Sequence, residues 1–146
     1  MKPDFEQFKD IPGTTIFTIE KARDGFPLNQ FCMSLRTAAN RERFHADERA
    51  YLDEWDMTEE QKQAVLTRDF QKMLDHGGNV YFLSKIFAAE GLSYVQAVST
   101  MTDMNVEQYQ AMMLAGGRNV EGLRSIKAQH AAAARSLKEN AAGGES

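Results

Sequence analysis

The sequence predicts an all-α fold: a single compact domain of about six or seven short helices, with an irregular N-terminal segment and a loose C-terminal tail. Three observations carry this. Apolar residues recur at helical spacing in one segment after another. The period-2 alternation of a half-buried strand occurs nowhere. Residues that cap helices stand at the ends of these segments, Thr, Ser or Asn in front and Gly behind. The chain has 146 residues, which suits one domain. We expect the helical domain over 1–127 and an alanine-rich tail over 128–146.

Residues 1–17 read as irregular, punctuated by Pro3 and by a turn at Ile11-Pro12-Gly13-Thr14. Thr18 can cap a short helix that runs through Arg23 and stops at Gly25. After Pro27, residues Leu28, Phe31, Cys32 and Leu35 form one apolar face of a second helix. Asn40 is the expected cap of a third, reaching about Trp55, with Phe44, Tyr51, Leu52 and Trp55 inward. Thr58 and Gln61 have capping-box form and open a fourth, whose stripe is Val65, Leu66, Phe70, Met73 and Leu74, closed by Gly77.

Asn79 starts the most apolar helix. Its residues Val80, Tyr81, Phe82, Leu83, Ile86 and Phe87 point in nearly every direction about the axis, which predicts a central helix buried on all sides. Truncating Phe82 to Ala should then cost about 3–5 kcal/mol. Gly91 ends this helix, and Ser93 with Gln96 opens a short one to about Thr100. Asn105 starts another, carrying Val106, Tyr109, Met112 and Met113, and Gly116-Gly117 stops it. The tail contains four consecutive alanines, 131–134, which favour helix but offer little area to bury.

Composition excludes several functions. A formal charge of −4 and a pI near 5.4 supply no basic field for nucleic acid. Residues 93–115, the nearest thing to a helix-turn-helix, contain neither Lys nor Arg. No apolar run reaches the roughly 18–20 residues that span a bilayer. The opening MKPDFEQFKD lacks a secretory h-region, and Cys32 is the only cysteine, so a cytoplasmic location is expected.

Chemistry-bearing residues are sparse. His45 and Glu48 stand three apart, a spacing metal sites use, but their surroundings read as a solvated charged face. His76 sits at a helix end, where a cation suits the macrodipole, and His130 lies in the tail. Cys32 lies on an apolar face and reads as a buried, inert thiol. The carboxylate-rich DERAYLDEWD (47–56) reads as a solvated helix face. Gly77-Gly78 and Gly116-Gly117 follow helices and match no phosphate loop. We therefore assign this chain no catalytic residue and no metal. Its nine Phe, four Tyr and one Trp exceed what one small core needs, and the surplus is expected to face a partner.

Five blocks carry a resemblance: DIPGT (10–14), LNQFCMSL (28–35), ADERAYLDEW (46–55), GGNVYFLSK (77–85) and GGRNVEGLRSIK (116–127). In this order they resemble the small (alpha) subunit of protocatechuate 4,5-dioxygenase. The resemblance implies an all-helical, non-catalytic subunit that caps the active site of a large (beta) subunit in an α2β2 assembly. It also implies extradiol cleavage of a carboxylated catechol by O2, with the substrate at the subunit interface. The implied Fe(II) sits in a His/His/carboxylate site of the large subunit, and this chain holds no cofactor. Relatives place an aromatic in a Gly-x-Ser-aromatic context at the vestibule, which here matches Gly91, Leu92, Ser93 and Tyr94. Ser93 and Tyr94 are thus pocket-lid candidates, while Tyr94 packed on the core remains the other reading. A gallate-type small subunit and a free-standing helical binding module are the alternatives.

Overall fold

Side-chain caps set where the helices begin. In the computed structural model, which describes residues 5–11, 14–118 and 125–143, the Thr18 hydroxyl accepts the Lys21 N–H and opens α1 (Ile19–Asp24). Gly25 ends α1 and leads directly into α2 (Phe26–Ser34). The expected third helix is two. Thr37, not Asn40, caps α3 (Ala38–Ala46). Asp47 then turns extended, and its carboxylate accepts the Ala50 N–H to start α4 (Glu48–Asp53). Asn40 is used elsewhere: its amide donates to the Ser34 carbonyl at the end of α2, 2.9 Å away.

The fourth helix is likewise divided. The Thr58–Gln61 capping box opens α5 (Glu59–Leu66) as expected. Arg68 then adopts φ +55, a left-handed turn uncommon for a residue with a Cβ. Asp69 caps α6 (Phe70–Asp75) through the Lys72 N–H. Asn79 caps α7 (Val80–Ala89), and the Ser93–Gln96 box opens α8 (Tyr94–Ser99). Asn105 and Gln108 exchange hydrogen bonds before α9 (Val106–Leu114). Toward the C-terminus α10 (Ile126–Ala142) runs across the boundary drawn after Lys127, and its described side chains are exposed. The described residues thus hold ten α-helices and a 3-10 turn (Glu6–Phe8), and no strand. The class is all-α. The count exceeds six or seven because Asp47 and Arg68 each divide an expected helix whose apolar residues keep helical spacing in sequence, and because the C-terminal segment forms α10.

The chain divides into two compact units. One is Phe17–Ala111. Its core joins Leu28, Phe31 and Cys32 of α2 to Phe44, Tyr51, Leu52, Val65, Phe70, Met73, Leu83, Ile86 and Phe87. Phe31 sits at the centre of an edge-to-face cluster, with ring centroids 5.3 Å from Phe44 and 6.0 Å from Tyr51. The other unit combines the two ends of the chain, to Ile16 and from Met112. In it Asp10 accepts the Lys127 N–H at 3.1 Å, and Thr14 N–H donates to the Ile11 carbonyl. Pro3, Pro12, Gly13 and residues 119–124, which include part of the GGRNVEGLRSIK block, lie outside the described residues. No described helix is long and apolar enough to cross a membrane.

The most apolar helix is not buried all round. Leu83, Ile86 and Phe87 of α7 are buried, Phe82 is half-buried, and Val80 and Tyr81 are 39% and 61% exposed. Composition alone had suggested an enclosed post, but a helix is enclosed only where neighbours pack. Here α2, α6 and α8 contact it, and the start of its outer face remains open.

Two junctions meet with no room for side chains. A Cβ on Gly25 would stand 1.9 Å from the Gly77 carbonyl oxygen, so the α1–α2 and α6–α7 turns touch backbone to backbone. Buried Asn29 holds the contact: its amide donates to the Gly77 carbonyl and its oxygen accepts the Asn79 N–H. Buried Gln61 reaches the same place, donating to the Asp24 and His76 carbonyls at 2.9 Å each. These bonds satisfy helix-end carbonyls that burial would otherwise leave without partners.

Candidate functional site

The turn between α7 and α8 positions Ser93 and Tyr94. Gly91 takes φ +69, and Leu92 N–H donates back to the Phe87 carbonyl, closing the turn as a Schellman-type cap. The Ser93 hydroxyl accepts the Gln96 N–H at 3.1 Å, and the Gln96 side chain accepts the Ser93 N–H at 2.8 Å. Ser93 is therefore engaged in capping. Tyr94 is the first residue of α8 and is 55% exposed. Its ring meets Phe87 edge to face at 6.0 Å, and Phe87 in turn meets Phe70 at 4.7 Å. Tyr94 thus rests one edge on the core, while more than half of the residue stays accessible. Such a ring is fixed from behind and free to meet an aromatic ligand or a neighbouring chain.

On the other side of the same turn lies an ion network. Arg68 donates through both terminal nitrogens to the Glu48 carboxylate and through Nη2 to Glu90, 3.1 Å away. Its guanidinium also lies over the Phe44 ring, 5.5 Å from the centroid, and Nη1 donates to the Val65 carbonyl at 2.7 Å. Burial works against the Arg68 charge, and the two carboxylates outweigh it, so its pKa is raised. His45 Nε2 lies 3.3 Å from the Ala89 carbonyl, and Nδ1 lies 3.9 Å from Glu90.

This geometry bears on metal binding. His45, Glu48 and Glu90 offer ligand atoms within 4.8 Å of one another. Sequence spacing had paired His45 with Glu48, but Glu90 is 42 residues further on, and only tertiary structure brings the end of α7 beside His45 and Arg68. A facial triad needs two imidazoles. Among the described residues this group holds one, and the Arg68 guanidinium already supplies the cation between its carboxylates. The donor set does not fit a two-histidine iron site. His76 ends α6 with its carbonyl bonded to Gln61, and His130 lies on exposed α10. Cys32 is fully buried, and burial pushes its thiol pKa up, which keeps it protonated.

Other residues stand exposed where sequence periodicity had not separated them from the core. Phe26 and Ile19 are 61% and 78% exposed at the starts of α2 and α1. With Phe17, Val80, Tyr81 and Tyr94 they are the large apolar residues this unit leaves exposed. Period counting cannot find such residues, because spacing within one helix does not say which faces have neighbours.

Comparison with known proteins agrees with the family that the motif blocks pointed to, over a region that holds three of the five blocks. Residues 28–114, more than half of the chain, match the family described as "Aromatic-ring-opening dioxygenase LigAB, LigA subunit". The match covers α2 to α9 and includes the α7–α8 turn. The chain is also 25% identical over 101 residues to a gallate dioxygenase of Pseudomonas putida, covering 69% of this chain. It spans only 30% of that relative's length.

Proposed function

We infer that this chain, which belongs to the LigA-subunit family of aromatic-ring-opening dioxygenases, serves as the small subunit that closes the active site of a large catalytic subunit. The observation that carries this reading is the family match over residues 28–114, which includes the helix turn that presents Tyr94. The substrate we propose is a carboxylated catechol, with protocatechuate opened beside its hydroxyls as the first reading. Gallate is the second, favoured by the name of the Pseudomonas putida relative. We propose an α2β2 complex in the cytoplasm.

In the proposed complex, Fe(II) in the large subunit supplies the site where catechol and O2 meet. This chain contributes shape. Tyr94, held by Phe87 and by the capping box at Ser93, would supply one aromatic wall, and the covering surface would keep water from the ring. Excluding water strengthens electrostatic guidance in the pocket and limits side reactions. No proton transfer is assigned to this chain.

The test is reconstitution. This chain and the large subunit are purified separately, mixed, and supplied with O2 and protocatechuate or gallate in turn. Ring opening, seen as a yellow semialdehyde from protocatechuate, should require both chains. Cleavage by this chain alone would overturn the reading, as would a large subunit whose turnover is unchanged when this chain is added.

A further inference from the structure

Two sets of cations in this unit differ in how they are partnered. Along α3 to α5 they are paired: Arg43 with Glu54, Arg49 with Asp53 and Glu59, Lys62 with Asp53, and Arg68 with Glu48 and Glu90. On the face where α7 meets the α2–α3 turn they form no ion pair among the described residues. Arg36, Arg41 and Lys85 line one open cleft of about 410 Å3 with Leu35 and Ala88, and no carboxylate lines it. The sequence reinforces this. Neither 25–41 nor 79–89 contains an Asp or Glu, although the chain as a whole carries −4.

The cleft is also held in shape. Arg41 Nη1 donates to the Leu35 and Arg36 carbonyls at 3.0 and 2.9 Å, which fixes the guanidinium at the end of α2. Lys85 Nζ rests 4.6 Å from the centroid of the Tyr81 ring, and Tyr81 is 61% exposed. Tyr81, Lys85 and Ala88 lie on one face of α7, at i, i+4 and i+7. An accessible tyrosine, and arginines that form no ion pair among the described residues, are residue types enriched at protein interfaces.

We propose that this face, Arg36, Arg41 and Lys85 with Tyr81, docks an acidic surface of the large subunit. The proposal rests on the small-subunit reading above. A second polypeptide fits better than a second copy of this chain, because three of the four carboxylates of α4 and α5, Glu48, Asp53 and Glu59, are already paired with Arg68, Arg49 and Lys62, which leaves Glu60. The relative's length points the same way: the part similar to this chain is 30% of it, so that protein joins such a unit to a much longer stretch. Charges of this kind act mainly through association rate and partner choice, and their effect falls as salt rises.

The experiment measures binding of this chain to the purified large subunit by calorimetry at low and high NaCl. Reversing both outward charges, Arg36→Glu with Lys85→Glu, should raise Kd by about tenfold or more at low salt, with the gap closing at high salt. Lys72→Glu, on the exposed part of α6, should leave Kd unchanged. If the double reversal alters the circular dichroism, the neutral pair Arg36→Gln with Lys85→Gln replaces it, with a rise of about threefold expected. Equal binding by wild type and a folded variant would overturn the docking face and leave the small-subunit reading standing. A variant that instead abolishes self-association of this chain would show that the occupant is a second copy, which also overturns the proposal. No binding by the wild type would remove both.

Discussion

Replacing Gly25 with Ala should destabilise the Phe17–Ala111 unit, although its backbone angles alone suggest the opposite. Gly25 has φ −84 and ψ −3, angles that alanine adopts without strain. Restricting the unfolded chain at such a position would stabilise by about 0.4–1 kcal/mol. The new Cβ, however, would stand 1.9 Å from the Gly77 oxygen and 2.2 Å from its carbon. Both are backbone atoms, so neither can rotate away, and the α1–α2 and α6–α7 turns must separate. Forced overpacking costs about 1–3 kcal/mol. Separation also stretches the Asn29 bonds to Gly77 and Asn79, at about 0.5–1.5 kcal/mol each. The net expectation is a loss of roughly 3 kcal/mol. Gly91→Ala is the contrasting case: nothing lies within 4 Å, and only its φ of +69 opposes the change, at about 1 kcal/mol. Urea unfolding followed by circular dichroism measures both. If Gly25→Ala proves neutral or stabilising, or if Gly91→Ala is the costlier, the backbone contact is not what holds these turns.

Three further outcomes are expected. Phe87→Ala should cost about 3–5 kcal/mol because the ring is 2% exposed and packs on Phe70, whereas half-buried Phe82→Ala should cost only about 1–2 kcal/mol, short of the value its sequence context suggested. Equal losses in denaturant titrations would contradict the one-sided burial of α7. Tyr94→Ala should lose about 1 kcal/mol of stability, the edge contact with Phe87, while changing the preference between protocatechuate and gallate in the reconstituted complex at unchanged iron content. A loss above about 3 kcal/mol would make it a core residue instead. Glu59, bonded by Arg49 and then by Gln63, has its pKa held down to about 2. A depressed carboxylate contributes stability fully above its ordinary pKa near 4.5 and loses it as pH falls through about 2. Carboxyl NMR should show that midpoint, with Arg49→Ala returning it toward the ordinary value; a wild-type midpoint already near 4.5 would exclude the pairing.

What the sequence determined by itself is local. Helix starts at Thr18, Thr58, Asn79, Ser93 and Asn105, and stops at Gly25, Gly77 and Gly91, were readable because a cap acts through hydrogen bonds or backbone angles within a few residues. The all-α class followed from the same signals, and the motif blocks led to the right family. The breaks at Asp47 and Arg68 escaped because the apolar residues keep helical spacing in sequence through them, and periodicity cannot register such a break. Tertiary structure decided everything that depends on which helices are neighbours. It left Tyr81 outside while burying Leu83, it carried Glu90 to Arg68 and Glu48, and it gathered Arg36, Arg41 and Lys85 around one cleft free of carboxylates. Burial and electrostatics act between surfaces brought together through space, and one helix's pattern shows which residues could be covered, not what covers them.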